Sequence, residues 1–410
     1  MKCRHCRAEL TLPLIDLGSA PPSNAYLTKL TLRRPEKWFP LKVLVCESCW
    51  LVQAESYSRA AELFNEEYAY FSSFSEQWLK HAQHYVDTVV ARFGLTIDSQ
   101  VIEVASNDGY LLQFVKQRGI PCLGIEPTAS TSSAARIKGI ETIEEFFGVE
   151  LASRLAGQGF KADLMVANNV LAHTPDINYF SAGFTLLLKP WGVVTFEFPH
   201  LMKLIEQNQF DTIYHEHFSY FSFTAIMQIF SRNGLSVLDV EEINTHGGSL
   251  RVFAQRMDTG KHAVSENVSN LLDKERVAGM NNAYYYKGFQ ENADKVKNDF
   301  LAFLIKAKQE GKTVAGYGAA AKGNTLLNYA GIRPDLLPFV VDRNPAKQGK
   351  YLPGSRIPIF DESRLRDAQP DYVVILPWNL KEEVMRQLDY INAWGGKFVT
   401  AVPVLKCGYN

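Results

Sequence analysis

No run of about 18 apolar residues occurs in this chain of 410, so no membrane span is expected. No charge of one sign dominates. Forty-three Lys and Arg stand against 44 Asp and Glu, a net charge of −1, and no basic field argues for nucleic acid as the main partner. No internal repeat, low-complexity tract or long apolar stripe stands out; the last would mark an obligate interface, so a monomer is expected. Cysteine is scarce, with six in all. The opening "MKCRHCRAEL" lacks the apolar core of a signal peptide, and the expected compartment is the cytoplasm. There, cysteines serve as thiols or metal ligands rather than disulfides.

What is present is an ordinary globular composition, 46% hydrophobic and 21% charged, in a chain long enough for two or three domains. Its character changes along its length. Residues 1–65 are short strand-like pieces broken by turns such as "LGSAPPSNAY". Residues 66–263 open on a helical pattern, "SEQWLKHAQHYVDTVVARFGL", with apolar groups spaced at three and four. Apolar strand candidates then alternate with helical stretches, which reads as a parallel α/β sheet. Residues 264–310 are charged and helical, a connector. Residues 311–410 form a second α/β unit, starting with strand, Gly-rich turn and helix in "KTVAGYGAAAKGNTLLNYAG". The fold class expected is α/β: two Rossmann-like parallel-sheet domains and a small N-terminal module.

Cys3-Arg4-His5-Cys6 and Cys46-Glu47-Ser48-Cys49 are two C-x-x-C turns. Two such turns close a tetrahedral zinc site, and four cysteine ligands leave no open position, so the metal is structural. The 39 residues between the pairs exceed the usual ribbon interval, a cheap insertion in loop entropy. The alternative is redox or merely buried thiols, and His5 is a spare ligand. Cys122 and Cys407 stand alone.

Two turns invite nucleotides. In "VIEVASNDGYLL", Gly109 can let the backbone approach a ligand, and the following helix offers unpaired N–H groups to a carboxylate. Glu103 can take an ammonium group. Glu126, at the end of the next strand in "GIEPT", can accept both hydroxyls of a ribose. Amine, carboxylate and ribose together describe S-adenosylmethionine, although Ala105 and Asn107 replace the usual glycines. In "GYGAAAKG", Gly316, Gly318 and Ala321 fit G-x-G-x-x-G/A, with Asp342 at about the interval of a ribose-binding acid. That turn reads as a dinucleotide site of an oxidoreductase, as a cradle for a substrate's pyrophosphate with Lys322 adding charge, or as a Rossmann-like turn that binds nothing.

"DTIYHEHFSYFS", residues 211–222, packs Tyr214, His215, Glu216 and His217 side by side. If the segment is extended, the histidines share one face and are metal ligands or an acid/base set; a satisfied structural cluster is the alternative. His173 closes "NNVLAH" just past a strand, and Tyr68 and Tyr70 lie in "EEYAYFSSFS".

Taken in order, the four-cysteine module, "EVASNDGYLL", "NNVLAH", "YHEHFSYFS", "THGGSLR" and "GYGAAAKGNTLLN" resemble the sugar C-methyltransferases, which act on nucleotide-linked 4-keto-6-deoxysugars. The resemblance covers essentially the whole chain. It implies a central domain that binds S-adenosylmethionine through Glu103, Ala105, Ser106, Asn107, Asp108, Gly109, Glu126 and Asn168. It implies a structural Zn2+ and a C-terminal domain without NAD chemistry, with the nucleotide sugar, by the same resemblance dTDP-linked and methylated at carbon 3, in the cleft between the domains. His217 is then the base, Tyr214 its acid/base partner or enolate stabiliser, and Glu216 orients the histidine or holds a sugar hydroxyl or amine. His173 and Tyr68 are further catalytic residues. Tyr70, His246, Gly318, Lys322 and Asn324 are expected to bind substrate, and the "HGGS" turn either shapes the pocket wall or is a simple tight turn. His215 is set aside as structural because an extended backbone would point it away from the face of its neighbours. Methylation at carbon 5, an NAD-dependent oxidoreductase or epimerase, and a non-catalytic zinc-ribbon adaptor are the competing readings. The cost of burying the Tyr-His-Glu-His groups speaks against the last.

Overall fold

The apolar runs Val101–Val104, Cys122–Ile125, Ala162–Asn168 and Leu188–Pro199 become neighbouring parallel strands in a computed structural model that describes residues 1–57 and 71–409. They lack polar alternation because helices cover both faces of the sheet; all four residues of Val101–Val104 are buried. Seven strands lie in the order Leu235–Ile243, Ser249–Arg256, Leu188–Pro199, Ala162–Asn168, Val101–Val104, Cys122–Ile125, Thr142–Ile143. Only Ser249–Arg256 runs antiparallel to its neighbours. The order reverses between Val101–Val104 and Ala162–Asn168, which opens a crevice beyond their C-terminal ends. Helix Glu76–Phe93 flanks the sheet. Ser75 caps its start, Gly94 in the left-handed conformation ends it, and Ala82, Tyr85, Val86 and Val89 form its buried stripe.

A second, six-stranded sheet has the order Ile359–Phe360, Val340–Val341, Val314–Tyr317, Tyr372–Ile375, Lys397–Thr400, Lys406–Tyr409. All its pairs are parallel except the last. Helices Glu266–Ala278 and Phe289–Gln309 lie between the two sheets in sequence. Glu275 of the first helix accepts the N–H groups of Phe223 (2.6 Å) and Thr224 (2.7 Å) and pairs with the buried His200 (2.7 Å). That carboxylate caps helix Phe223–Arg232 and fastens the connector to the central sheet. The second helix buries Phe289, Val296, Phe300 and Leu304 in a core shared with N-terminal and C-terminal strands.

The N-terminal sheet has the order Leu12–Ala20, Phe39–Val45, Val52–Ala54, Ser219–Tyr220. Its fourth strand comes from the far end of the Tyr-His-Glu-His segment, with Val52 opposite Tyr220 and Gln53 opposite Ser219. A two-residue strand carries no readable alternation, so this stitch was not legible in the sequence. Among the described residues no helix is long and apolar enough to cross a membrane.

Candidate active site

A cavity of about 600 Å³ sits over the C-terminal ends of the central strands and extends to residues 320–322, at the start of helix Ala321–Tyr329 beside the C-terminal sheet. Its central-sheet wall begins at the 105–107 turn. Ala105 (φ 57°) and Asn107 (φ 50°) adopt the left-handed conformation that the missing glycines would have supplied. Glu126, on the wall, accepts the N–H groups of Asn107 (3.0 Å) and Thr128 (2.9 Å). Burial raises its carboxyl above the usual range, and those hydrogen bonds oppose the rise. Asn168 ends its strand on the same wall, and its buried Oδ1 has no partner among the described residues, as expected of a group awaiting a ligand donor.

Four of the expected cofactor residues stand behind the wall instead of on it. Glu103 is buried beside Tyr110, with neither oxygen in a regular hydrogen bond, and burial pushes its carboxyl well up. Ser106 lies beneath Gly124. Asp108 pairs with Lys138 at 3.1 Å. Gly109 (φ +74°) faces Ile140, whose Cδ1 is 2.5 Å from where a Cβ would be; close packing, not ligand approach, demands the glycine. The helix expected to follow at once begins only at Leu112 and has six residues, Leu112–Gln117, so its N-terminus does not bear on the turn.

The histidine-rich segment is not extended. The His217 N–H donates to the Tyr214 carbonyl (2.9 Å), closing a tight turn over 214–217. The turn brings the His217 ring 4.0 Å from that of Tyr214 and 4.8 Å from that of His173, centroid to centroid. His217 Nδ1 lies 3.0 Å from the Thr212 carbonyl, which can only accept, so Nδ1 carries the proton and Nε2 the lone pair. His173 Nδ1 donates to the Glu216 carbonyl (2.9 Å) in the same way. Burial holds His217 well below the usual histidine range and His173 down at about 4, so both rings are neutral at pH 7. The orienter of His217 is therefore Thr212, not the Glu216 carboxylate. That carboxylate accepts from Asn24 Nδ2 at 2.8 Å on both oxygens, and burial pushes it up to about 7. His215 turns outward to the carbonyls of Phe39 (3.2 Å) and Pro40 (3.3 Å): the direction expected, produced by a turn and not by strand alternation. Tyr68 and Tyr70 lie outside the described residues.

At the N-terminus the four thiols converge. Cys3 and Cys49 sulfurs are 3.6 Å apart, Cys6 and Cys46 3.5 Å, and all four lie within 4.8 Å of one another. A tetrahedron of Zn–S bonds of about 2.3 Å needs edges of roughly 3.8 Å, so the set fits zinc. His5 is not among the converging groups; its Nδ1 meets Asn178 Oδ1 at 2.9 Å.

Comparison with known proteins places these parts together. Residues 3–64 match a zinc-binding domain, 78–240 a methyltransferase domain, and 244–403 a C-methyltransferase C-terminal domain. C-methyltransferase NovU of Streptomyces niveus is 35% identical over 402 residues, covering 98% of this chain and 95% of that one. The chain belongs to the C-methyltransferase family. A ubiquinone biosynthesis O-methyltransferase of Chelativorans sp. (strain BNC1) is 26% identical over 116 residues, 26% of this chain and 46% of that one. The crystal structure of magnesium protoporphyrin IX methyltransferase from Synechocystis PCC 6803 with bound S-adenosylmethionine has a TM-score of 0.33 at 18% identity, over 44% of this chain and 82% of that one. This C-methyltransferase is S-adenosylmethionine-dependent and carries a zinc-binding module in which Cys3, Cys6, Cys46 and Cys49 form a cluster able to hold a metal ion.

The C-terminal wall of the C-methyltransferase cavity is basic. Lys322 Nζ reaches Asn379 Oδ1 (2.7 Å) and sits 4.6 Å from the centre of the Trp378 ring, whose Nε1 donates to Asp211 (2.7 Å). Burial lowers Lys322 and raises Asp211 to about 6. Gly318 and Asn324 are not on the wall. Gly318 (φ +89°) is covered by Pro377, which comes within 2.5 Å of its missing Cβ, and Asn324 donates to the Ser23 carbonyl at 2.6 Å. Asp342, the expected ribose acid of a dinucleotide site, instead accepts Ala319 N–H (2.7 Å) and Asn344 N–H (2.8 Å).

His246 does line the cavity, from the Thr245–Gly247 turn, with φ 54° and its ring edge-to-face with Trp78 at 5.1 Å. Beneath it, buried Glu197 gathers His81 (2.9 Å), Arg251 (3.1 Å) and Thr245 (3.0 Å). Sequence reasoning missed the wall residues Trp78, Phe146, Asn24 and Lys347. Trp78 reads as core by its helical spacing, and Phe146 follows a strand, Thr142–Ile143, too short to see. Only the half-exposed aromatic at 146 could have been flagged from sequence, had that strand been recognised.

Proposed function

We propose that this enzyme methylates a carbon of a nucleotide-linked 4-keto-6-deoxysugar, at carbon 3 of a dTDP-linked substrate. The observation that carries the reading is His217: a neutral imidazole with its Nε2 lone pair available, on the wall of the cavity that Glu126 and Asn168 also line. The 4-keto group acidifies the neighbouring C–H. His217 Nε2 takes that proton, and the electron pair moves into an enolate whose oxygen is stabilised by hydrogen-bond donors, Tyr214 being the nearest to His217. S-adenosylmethionine, held at the 105–107 turn, Glu126 and Asn168, supplies an electrophilic methyl group. When bound there, the cofactor would give its methyl group to the enolate carbon, the electron pair of the broken sulfur–methyl bond staying with sulfur. Glu216 accepts from the hydroxyl or amine at carbon 3, His173 shapes the same pocket, and Lys322 faces the diphosphate.

The test is turnover of purified enzyme with S-adenosylmethionine and a panel of nucleotide 4-keto-6-deoxysugars in deuterated water, read by mass spectrometry. A product heavier by one methyl group, with the carbon-3 hydrogen lost, and deuterium at carbon 3 of recovered substrate are expected. Exchange and methylation at carbon 5 would move the site of reaction. No methylation and no exchange across the panel, in protein that binds S-adenosylmethionine, would overturn the substrate class.

A further inference from the structure

The turn-rich "APPSNAY" of the N-terminal module has no place in the mechanism so far, yet it enters the cavity. Residues 21–27 leave the first sheet and cross to the C-terminal α/β unit, where three contacts pin them. The Ser23 carbonyl accepts from Asn324 Nδ2 (2.6 Å). The Tyr26 hydroxyl donates to the Ala319 carbonyl (2.6 Å). Leu27 and Tyr351 exchange two backbone hydrogen bonds, 2.9 and 2.8 Å. Between these pins stands Asn24, on the cavity wall, with its amide nitrogen 2.8 Å from each oxygen of Glu216.

We propose that Asn24 is a positioning residue of the active site: the 21–27 strap delivers a neutral side-chain amide that fixes the Glu216 carboxylate and favours its ionised form. The inference rests on the role given to Glu216 above. Its chemistry follows from the geometry. An ionised carboxylate only accepts, and an amide N–H pair is a donor that brings no charge of its own. Burial drives Glu216 towards its protonated form, the side-chain and then the backbone hydrogen bonds of Asn24 oppose it, and the balance lies at about 7. A protonated Glu216 would lose one acceptor face for the substrate. Two residues on, Tyr26 bonds Ala319, next to the cavity-lining residues 320–322, so one segment reaches both the C-terminal side of the cavity and the Glu216 carboxylate.

The experiment is a pH titration of the full-length enzyme by infrared spectroscopy, with the protonated-carboxyl band of Glu216 assigned by its loss in Glu216→Gln. In Asn24→Ala the midpoint should rise by about one unit or more, and Asn24→Ser, which keeps a donor, should fall between. Methyl transfer to the responsive sugar nucleotide should drop roughly tenfold at pH 7 in Asn24→Ala and recover at higher pH. Added to Glu216→Gln, the same substitution should change the rate less than about twofold. Calorimetric binding of S-adenosylmethionine, which should be unaltered, shows that the variants are folded. An unmoved midpoint, or a loss of rate that persists in the Glu216→Gln background, overturns the inference. Methyl transfer indifferent to Glu216→Gln would remove Glu216 from the chemistry and sink both readings; a sensitive Glu216→Gln with an indifferent Asn24→Ala sinks this one alone.

Discussion

His217 owes its chemistry to three neighbours: the Thr212 carbonyl that fixes its tautomer, and the Tyr214 and His173 rings that bury it. Replacing it by alanine should cut methyl transfer by roughly 10²- to 10⁴-fold, the usual worth of a general base, while S-adenosylmethionine still binds. Steady-state rates and calorimetry on one preparation check both halves, and a rate within a few-fold of wild type would exclude His217 as the base. The sign of the pH dependence also follows. His217 lies well below the usual histidine range and His173 at about 4, so neither ring is protonated as the pH falls from 8 to 6. Glu216, pushed up to about 7, does change charge in that window. Activity should therefore decline on the acid side with a midpoint near 7, and that limb should vanish from the residual activity of Glu216→Gln. A limb that survives Glu216→Gln would assign the titration elsewhere.

At the scale of elements, Gly109 separates what the sequence could say from what it could not. The strand–turn–helix pattern of "VIEVASNDGYLL" located the crevice, because apolar parallel strands and a break at their C-terminal ends are local signals. Glu126 was singled out for the same reason, its place at the end of a strand, whereas Asn168 entered only through the family resemblance. Which face of the turn each residue takes was not readable. Ala105 and Asn107 take the strained conformations, while Gly109 serves the contact with Ile140, set by a loop some thirty residues away in sequence. Whether 214–217 is extended or turned was left open by the sequence, because the hydrogen bond that closes the turn leaves no mark on composition. Asn24 and the Ser219–Tyr220 strand depend on pairings across more than 150 positions, beyond any local pattern. Gly109→Ala distinguishes packing from ligand approach. It should lower stability by about 1–3 kcal/mol through overpacking and the positive φ, seen as a fall in Tm. The affinity of the folded fraction for S-adenosylmethionine should change little; a selective loss of affinity at unchanged Tm would restore the ligand-approach reading.

Across the whole molecule, the zinc module and the catalytic turn form one continuous structure. The module's sheet is completed by Ser219–Tyr220, two residues beyond His217. Arg4, between the first two cysteines, donates to the Ala54 carbonyl (2.6 Å) and the Phe218 carbonyl (3.3 Å), and the strap that carries Asn24 leaves the same sheet. The wall assigned to S-adenosylmethionine is built from central strands: one face shares a core with Cys3, Leu10, Cys46 and Leu51 of the module, while the other packs with helix Glu76–Phe93 in a core that contains no module residue. A module this small depends on its metal for folding, so removing zinc should undo the strand beside His217 before it disturbs the central sheet. Treating the enzyme with a strong chelator should therefore abolish methyl transfer while calorimetric binding of S-adenosylmethionine persists within a few-fold. Thermal unfolding should gain an early transition, and stoichiometric zinc should restore both activity and a single transition. Full activity in protein shown by elemental analysis to be metal-free would refute this, because it would mean that the 214–220 segment keeps its shape without the sheet that holds it. Loss of S-adenosylmethionine binding together with activity would instead make the metal a support of the entire chain, and the stitch at Ser219–Tyr220 would no longer be the route by which it acts.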